Sequence, residues 1–206
     1  MAPNEFLLAG LLLIAVAVLI VVLLRGRARR PAPPPVPADP FRSTDEDVLR
    51  GDPRTLKTGD TVEIRAAAYT VRGSLHLTEG SWAWAEHLLD DASGSKVWLS
   101  VEEDPDLRLV LWRAVPSATV LPSGPTVDFD GRLYTRDDAG TARFTTTGST
   151  GLASSGTVRY RDYRAPDGAL LSFESYGEPT GGHEKWEVGR GEPVPRADVR
   201  VWAQGG

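Results

Sequence analysis

Two periods of apolar residues divide this chain. From Phe6 to Leu24 it is almost wholly Leu, Val, Ile and Ala without a charge, whereas beyond Leu56 apolar residues return at every second position. The unbroken run predicts one helix, about 28 Å long at about 1.5 Å per residue, which matches the hydrocarbon thickness of a bilayer. A cleaved signal peptide needs a basic start, a shorter apolar stretch and a small-residue cleavage pattern. Here Met-Ala-Pro-Asn-Glu precedes the run and Arg-Gly-Arg-Ala-Arg-Arg follows it, so the run is expected to persist as an anchor.

The period of two is densest between Gly80 and Asp104 and predicts a β-hairpin. Trp82, Trp84 and Glu86 alternate with Ala83, Ala85 and His87; Asp90 to Gly94 supply a turn; Val97, Leu99 and Val101 then alternate with Trp98, Ser100 and Glu102. A weaker copy follows, in which Val158, Tyr160 and Asp162 alternate with Arg159, Arg161 and Tyr163, Pro166-Asp167-Gly168 turns the chain, and Leu170 to Glu174 echoes Trp98 to Glu102. Shorter alternations predict strands over Val62 to Ile64 after the Gly59-Asp60 turn, Ala68 to Thr78, Leu107 to Val115, Val127 to Tyr134 across Asp130-Gly131, Ala142 to Thr145, Glu184 to Val188 and Val199 to Trp202. In this register Trp186 falls about where Trp112 does, Ser172 matches Ser100, and Leu107 to Val115 closes the first half. The expected fold is therefore all-β, a duplicated antiparallel meander or small-barrel-like domain preceded by one N-terminal transmembrane helix. Its organisation reads as residues 1–5 outside the membrane, 6–24 spanning, 25–47 a basic then proline-rich linker, and 48–203 a soluble domain whose pseudo-repeats cover about 56–115 and 126–190.

Charge sets the orientation. Arg25, Arg27, Arg29 and Arg30 follow the apolar run and only Glu5 and the α-amino group precede it, so the positive-inside bias places a single-pass protein in the cell membrane with its domain in the cytoplasm. Pro31, Pro33, Pro34, Pro35, Pro37 and Pro40 form a polyproline II spacer reaching about 30 Å at about 3.1 Å per residue. Ser43 or Thr44, followed by Asp45, Glu46 and Asp47, caps one helical turn before Gly51-Asp52-Pro53. Of the 28 acids and 23 bases, one acid and four bases fall within the first thirty residues, and the remainder is acidic. An acidic domain does not neutralise phosphate backbones, so nucleic acid is excluded as a partner. The absence of cysteine removes disulfides, thiolate nucleophiles and thiolate metal sites.

The candidate chemistry lies on the two hairpins. Glu86 and Glu102 in one copy and Asp162 and Glu174 in the other are paired carboxylates of the kind that divide into acid and base when their environments differ, provided strand register brings them together. The commoner alternative makes them solvent-facing strand ends or partners of Arg161 and Arg164. Six tryptophans are many for such a domain, and most are expected in its core. Trp82, Trp84 and Trp98 are also candidate binding residues, since aromatic side chains on a rigid sheet serve as anchors. His76, His87 and His183 are too far apart in sequence for a metal motif, and Thr145 to Gly156 lacks the spacing of a phosphate-binding loop. No cofactor is expected, and no residue is assigned a catalytic or metal role.

The order Leu56-x-x-Gly59-Asp60, Tyr69-x-Val71-x-Gly73, Trp82 and Trp84 with Glu86-His87-Leu88-Leu89, then Trp98-Leu99-Ser100-Val101-Glu102, resembles the bacterial domain-of-unknown-function family numbered 4178. The resemblance covers roughly Leu49 to Trp202 and implies membrane-associated members, without a reaction or catalytic residues. The function expected is an interaction or sensing module, held at the bilayer by Phe6 to Leu24, with another membrane protein as its partner. A membrane-tethered enzyme using the strand carboxylates and an accessory subunit of a membrane assembly are the alternatives.

Overall fold

The computed structural model describes residues 47, 49–177 and 184–204. The predicted membrane helix, residues 25–46 of the linker and His183 lie outside them, and no described helix is long and apolar enough to cross a membrane. Two single-turn 3-10 helices, Pro53–Thr55 and Arg196–Asp198, accompany eleven strands: β1 (Thr61–Ile64), β2 (Ala67–Glu79), β3 (Trp82–Asp90), β4 (Lys96–Glu103), β5 (Leu107–Ala114), β6 (Thr126–Phe129), β7 (Arg132–Gly148), β8 (Ser155–Arg164), β9 (Leu170–Tyr176), β10 (Glu187–Pro193) and β11 (Val199–Trp202). The structure is all-β, with the strands in one antiparallel sheet.

The order β11-β1-β2-β3-β4-β5-β10-β9-β8-β7-β6 would leave an open sheet, but β2 also pairs with β7. That ladder, from Gly73↔Gly148 to Thr78↔Arg143, closes β2, β3, β4, β5, β10, β9, β8 and β7 into a ring and removes the free edges of these strands. β5 pairs with β10 rather than closing the first half on itself, so the expected half-domain closure is replaced by a ring shared between the halves. The expected Ala142 to Thr145 strand is the end of β7, one long strand running on from the Asp130-Gly131 turn.

Two bulges let the long strands serve both purposes. β2 pairs with β1 from Ala67 to Thr70 and β7 pairs with β6 from Arg132 to Thr135; the register then slips between Val71 and Gly73 in one and between Arg136 and Asp138 in the other. An extra residue bends and twists a strand, so beyond each bulge the chain swings out of its own half to meet the other. The turns before these strands also correspond: Arg65 and Ala66, like Asp130 and Gly131, both have positive φ, the conformation of a two-residue hairpin turn. Ladder pairing places Trp98 opposite Leu88, and Ser172 opposite Asp162, each one step past its bulge partner. Ser172 therefore takes the place of Trp98, not of Ser100, and Gly189, opposite Ser172, takes that of Trp112, not Trp186. The sequence echo between the hairpins is displaced by two residues from the structural one.

Alternation sorts each strand into two faces. Val97, Leu99 and Val101 join Val62, Ile64, Tyr69, Val71, Leu89, Leu109, Leu111 and Val199 in a buried core on the outer side of the ring, covered by β1 and β11. Leu171, Phe173, Tyr163, Tyr134 and Val188 form the corresponding core of the second half. Each fully buried aliphatic side chain contributes roughly 1.5–3 kcal/mol, so these two cores hold the ring rigid. A third cluster, Leu75, Leu77, Ala142, Phe144 and Val158, sits along the β2 and β7 junction, with Trp84, Trp98, Tyr160 and Tyr176 packed against it. No tryptophan is fully buried: Trp82 and Trp202 are exposed and the other four are half-buried, which corrects the expectation that most of them form the core.

Candidate functional site

The inner faces of the ring enclose a cavity of about 600 Å³ to which all eight ring strands contribute side chains. Trp82, Trp84, Glu86, Trp98, Glu102, Asp162 and Glu174 all line it. The position of Trp84 follows from its pairing with Leu77 on β2 and Glu102 on β4, and that of Glu86 from Leu75 and Ser100. The structure adds Glu79, Ser100, Trp112, Tyr160 and Ser172. Trp112 is held by composition across the ladder: it pairs with Gly191, where a Cβ would overlap the indole ring. Gly191 thus lets the ring lie against the backbone of β10.

The donors of the wall are largely spent on its own acceptors. Trp82 Nε1 donates to Glu102 Oε1 at 3.0 Å, Trp84 Nε1 to Glu86 Oε1 at 3.2 Å and Trp112 Nε1 to Ser100 Oγ at 3.1 Å. Tyr176 OH donates to Glu174 Oε2 at 2.8 Å and Tyr160 OH to Glu79 Oε2 at 2.5 Å. Glu79 also accepts the Thr141 amide at 3.0 Å, which serves the edge of β7 just past the last β2 pairing. Trp84 and Tyr160 meet edge to face, with ring centroids 6.0 Å apart.

The carboxyls are enclosed rather than solvated strand ends. Glu86, Asp162 and Glu174 keep some area open, but that area faces the cavity and protein surrounds them. Burial raises the Glu86 carboxyl to about 7, against the pull of the Trp84 indole and with help from the charge of Asp162. Burial raises Asp162 to about 6, opposed by the Ser172 hydroxyl, and its Oδ1 has no hydrogen-bond partner. Glu174 is pushed well up by burial and then by Glu86, more than Tyr176 draws it back. Neither arginine proposed as a partner reaches them: Arg161 lies over the Trp186 ring, 5.2 Å from its centroid, and Arg164 pairs with Asp137 at 2.8 Å. Glu102 is a half-buried wall residue that meets Arg108 at 3.5 Å. Trp82, Arg108, Asp137 and Asp138 are among the exposed members of the wall.

The histidines stand apart. His87 points to the outer core, its Nδ1 2.8 Å from Ser74 Oγ and its buried Nε2 without a partner; burial pushes it down to about 4, so it is neutral near pH 7. Among the described residues no three His, Asp or Glu side chains converge as a metal site requires. The signal that could have located the cavity is compositional: one face of β4, Val97, Leu99 and Val101, is purely aliphatic, and the other face of the first hairpin mixes indoles with carboxylates.

An antiparallel ring of eight strands around an aromatic and acidic cavity is a closed β-sheet, a β-barrel in outline. The chain belongs to the family described as domain of unknown function (DUF4178), which it matches over residues 57–196. It is 35% identical over 156 residues to an uncharacterized protein of Mycobacterium bovis and to uncharacterized proteins of two strains of Mycobacterium tuberculosis, covering 73% of this chain and 73% of each relative. No solved structure matches the chain.

Proposed function

We propose that the protein is a ligand-binding module: the duplicated halves enclose a small molecule in the lumen, and the anchor at Phe6 to Leu24 presents the domain to the cytoplasm as a membrane-tethered sensor. The observation that carries this reading is the cavity itself, large enough for a metabolite and lined by indoles beside enclosed carboxyls, one of which has an unpartnered oxygen. A folded domain leaves such polar groups unmet only at a cost of about 1–3 kcal/mol each, which a bound ligand offsets. A partner that responds to the occupied domain, such as another membrane protein, would complete the sensing role. Native mass spectrometry of the full chain in detergent tests the binding step, with Ser100→Phe filling the lumen. Retention of a small molecule by the wild type and its loss from a folded Ser100→Phe protein are expected. Equal retention by both would place any ligand elsewhere.

A further inference from the structure

The chemistry of the lumen goes further than its volume, because its charges do not balance. Every basic side chain of the wall already meets a carboxylate: Arg108 with Glu102, Arg164 with Asp137 at 2.8 Å, and Arg113 with Glu192 at 4.0 Å. Glu86, Asp162 and Glu174 have no such partner among the described residues; their donors are an indole, a serine hydroxyl and a phenol. Enclosed carboxyls without a counter-charge hold protons or, where ionised, repel anions; a neutral guest leaves that cost in place, whereas a cation stabilises the ionised form of all three. The ring systems point to the same sign of charge. The faces of Trp and Tyr rings attract cations, and Trp84, Trp98, Trp112 and Tyr160 border the space the carboxyls share. A bare metal ion does not suit it, since no three ligand side chains converge among the described residues and the space far exceeds one ion.

We propose that the lumen binds a small organic ammonium ion, its charge set against Glu86, Asp162 and Glu174 and its carbon atoms against the faces of Trp84 and Trp98. This rests on the lumen being a small-molecule site. The ammonium N–H groups supply donors that the wall lacks, Asp162 Oδ1 first among the acceptors that need one. The alkyl part covers apolar wall such as Leu77 and Val158. An alcohol of the same shape makes the second set of contacts and not the first.

The test is titration calorimetry of the full chain in detergent with a panel of ammonium ions, n-butylammonium, 1,4-diammoniobutane and choline, each beside a neutral isostere: 1-butanol, 1,4-butanediol and 3,3-dimethyl-1-butanol. At least one ammonium ion should bind about tenfold or more tightly than its isostere, the range expected when a charged hydrogen bond and a cation–π contact are both lost. Glu174→Gln and Asp162→Asn, shown to fold by circular dichroism, should each weaken that ion about tenfold and leave the isostere unchanged. Trp84→Leu should weaken it several-fold while Trp84→Phe retains most of the affinity, a difference that a purely packing role would not produce. Isosteres that bind as tightly as their ammonium partners, with Ser100→Phe abolishing both, would overturn the ammonium assignment and leave the lumen as a neutral-ligand site. Failure of every panel member, charged and neutral, would overturn both readings.

Discussion

Replacing Glu86 by glutamine removes an ionisable group from the lumen while keeping the shape and the acceptor for Trp84 Nε1, 3.2 Å away in the native protein. In the folded chain burial carries this carboxyl from its ordinary 4.5 to about 7. The folded state therefore holds a proton that the unfolded state releases, and the sign follows: this group's contribution to stability is greatest below about pH 4.5, falls as pH rises towards 7, and is flat beyond. At about 1.4 kcal/mol per pH unit the full loss is on the order of 3 kcal/mol, part of it shared with Glu174. Glutamine carries no such penalty, so Glu86→Gln should match the wild type near pH 4.5 and exceed it by about 2–3 kcal/mol at pH 8. In a domain of this size that is a rise in Tm of roughly 5–10 °C. Urea unfolding of exhaustively dialysed protein, followed by tryptophan fluorescence from pH 4.5 to 8, reads both quantities. A variant less stable than the wild type at pH 8, or one with an unchanged pH slope, would show that the carboxyl is solvated and the lumen open to bulk water.

Three further outcomes are expected. Ala66→Gly should stabilise the domain by about 1 kcal/mol in urea unfolding, because Ala66 holds φ +68 where its structural counterpart Gly131 holds +72 without strain. Leu99→Ala, at a fully buried outer-core position, should cost about 2–5 kcal/mol, whereas Trp84→Ala, half-buried against an existing cavity, should cost less and enlarge the lumen; the reverse order in thermal unfolding would put Trp84 in the core. A reporter active only outside the cytoplasm, fused after Gly206, should stay silent, and replacing Arg25, Arg27, Arg29 and Arg30 by glutamate should weaken that preference; a strong signal from the wild-type fusion would reverse the topology.

Local features of the fold were legible because turns and alternation are local. Gly80 at positive φ, the Asp91 carboxylate accepting from the Ser93 and Ser95 amides, and Asp130-Gly131 each mark a turn chemically, and the hairpins between them followed. Ring closure was not legible. It depends on β10, whose Gly189 and Gly191 carry no strand propensity of their own, Gly191 being explained only by the indole of Trp112 lying over it. It depends equally on β7, where Arg136-Asp137-Asp138 interrupts the alternation at the bulge and made one long strand read as two. The seven candidate side chains line one cavity, and period two had already placed Trp82, Trp84 and Glu86, and likewise Trp98 and Glu102, on common faces. What alternation does not say is which face is the core. The aliphatic face packs outward under β1 and β11 and the tryptophans turn inward to the lumen, an inversion set by long-range pairing.

The six tryptophans provide one probe for the central claim, that the lumen is where a ligand sits. Their indole N–H resonances, in ¹⁵N-labelled protein and assigned through single Trp→Phe variants, report separately on the lumen and on the outside. On titration with the tightest ammonium ion of the panel, the signals of Trp84, Trp98 and Trp112 should shift together and saturate, while those of Trp186, packed on the second outer core, and the exposed Trp202 stay still. Saturable shifts confined to Trp186 or Trp202 would contradict the account and move the binding site to the outer surface.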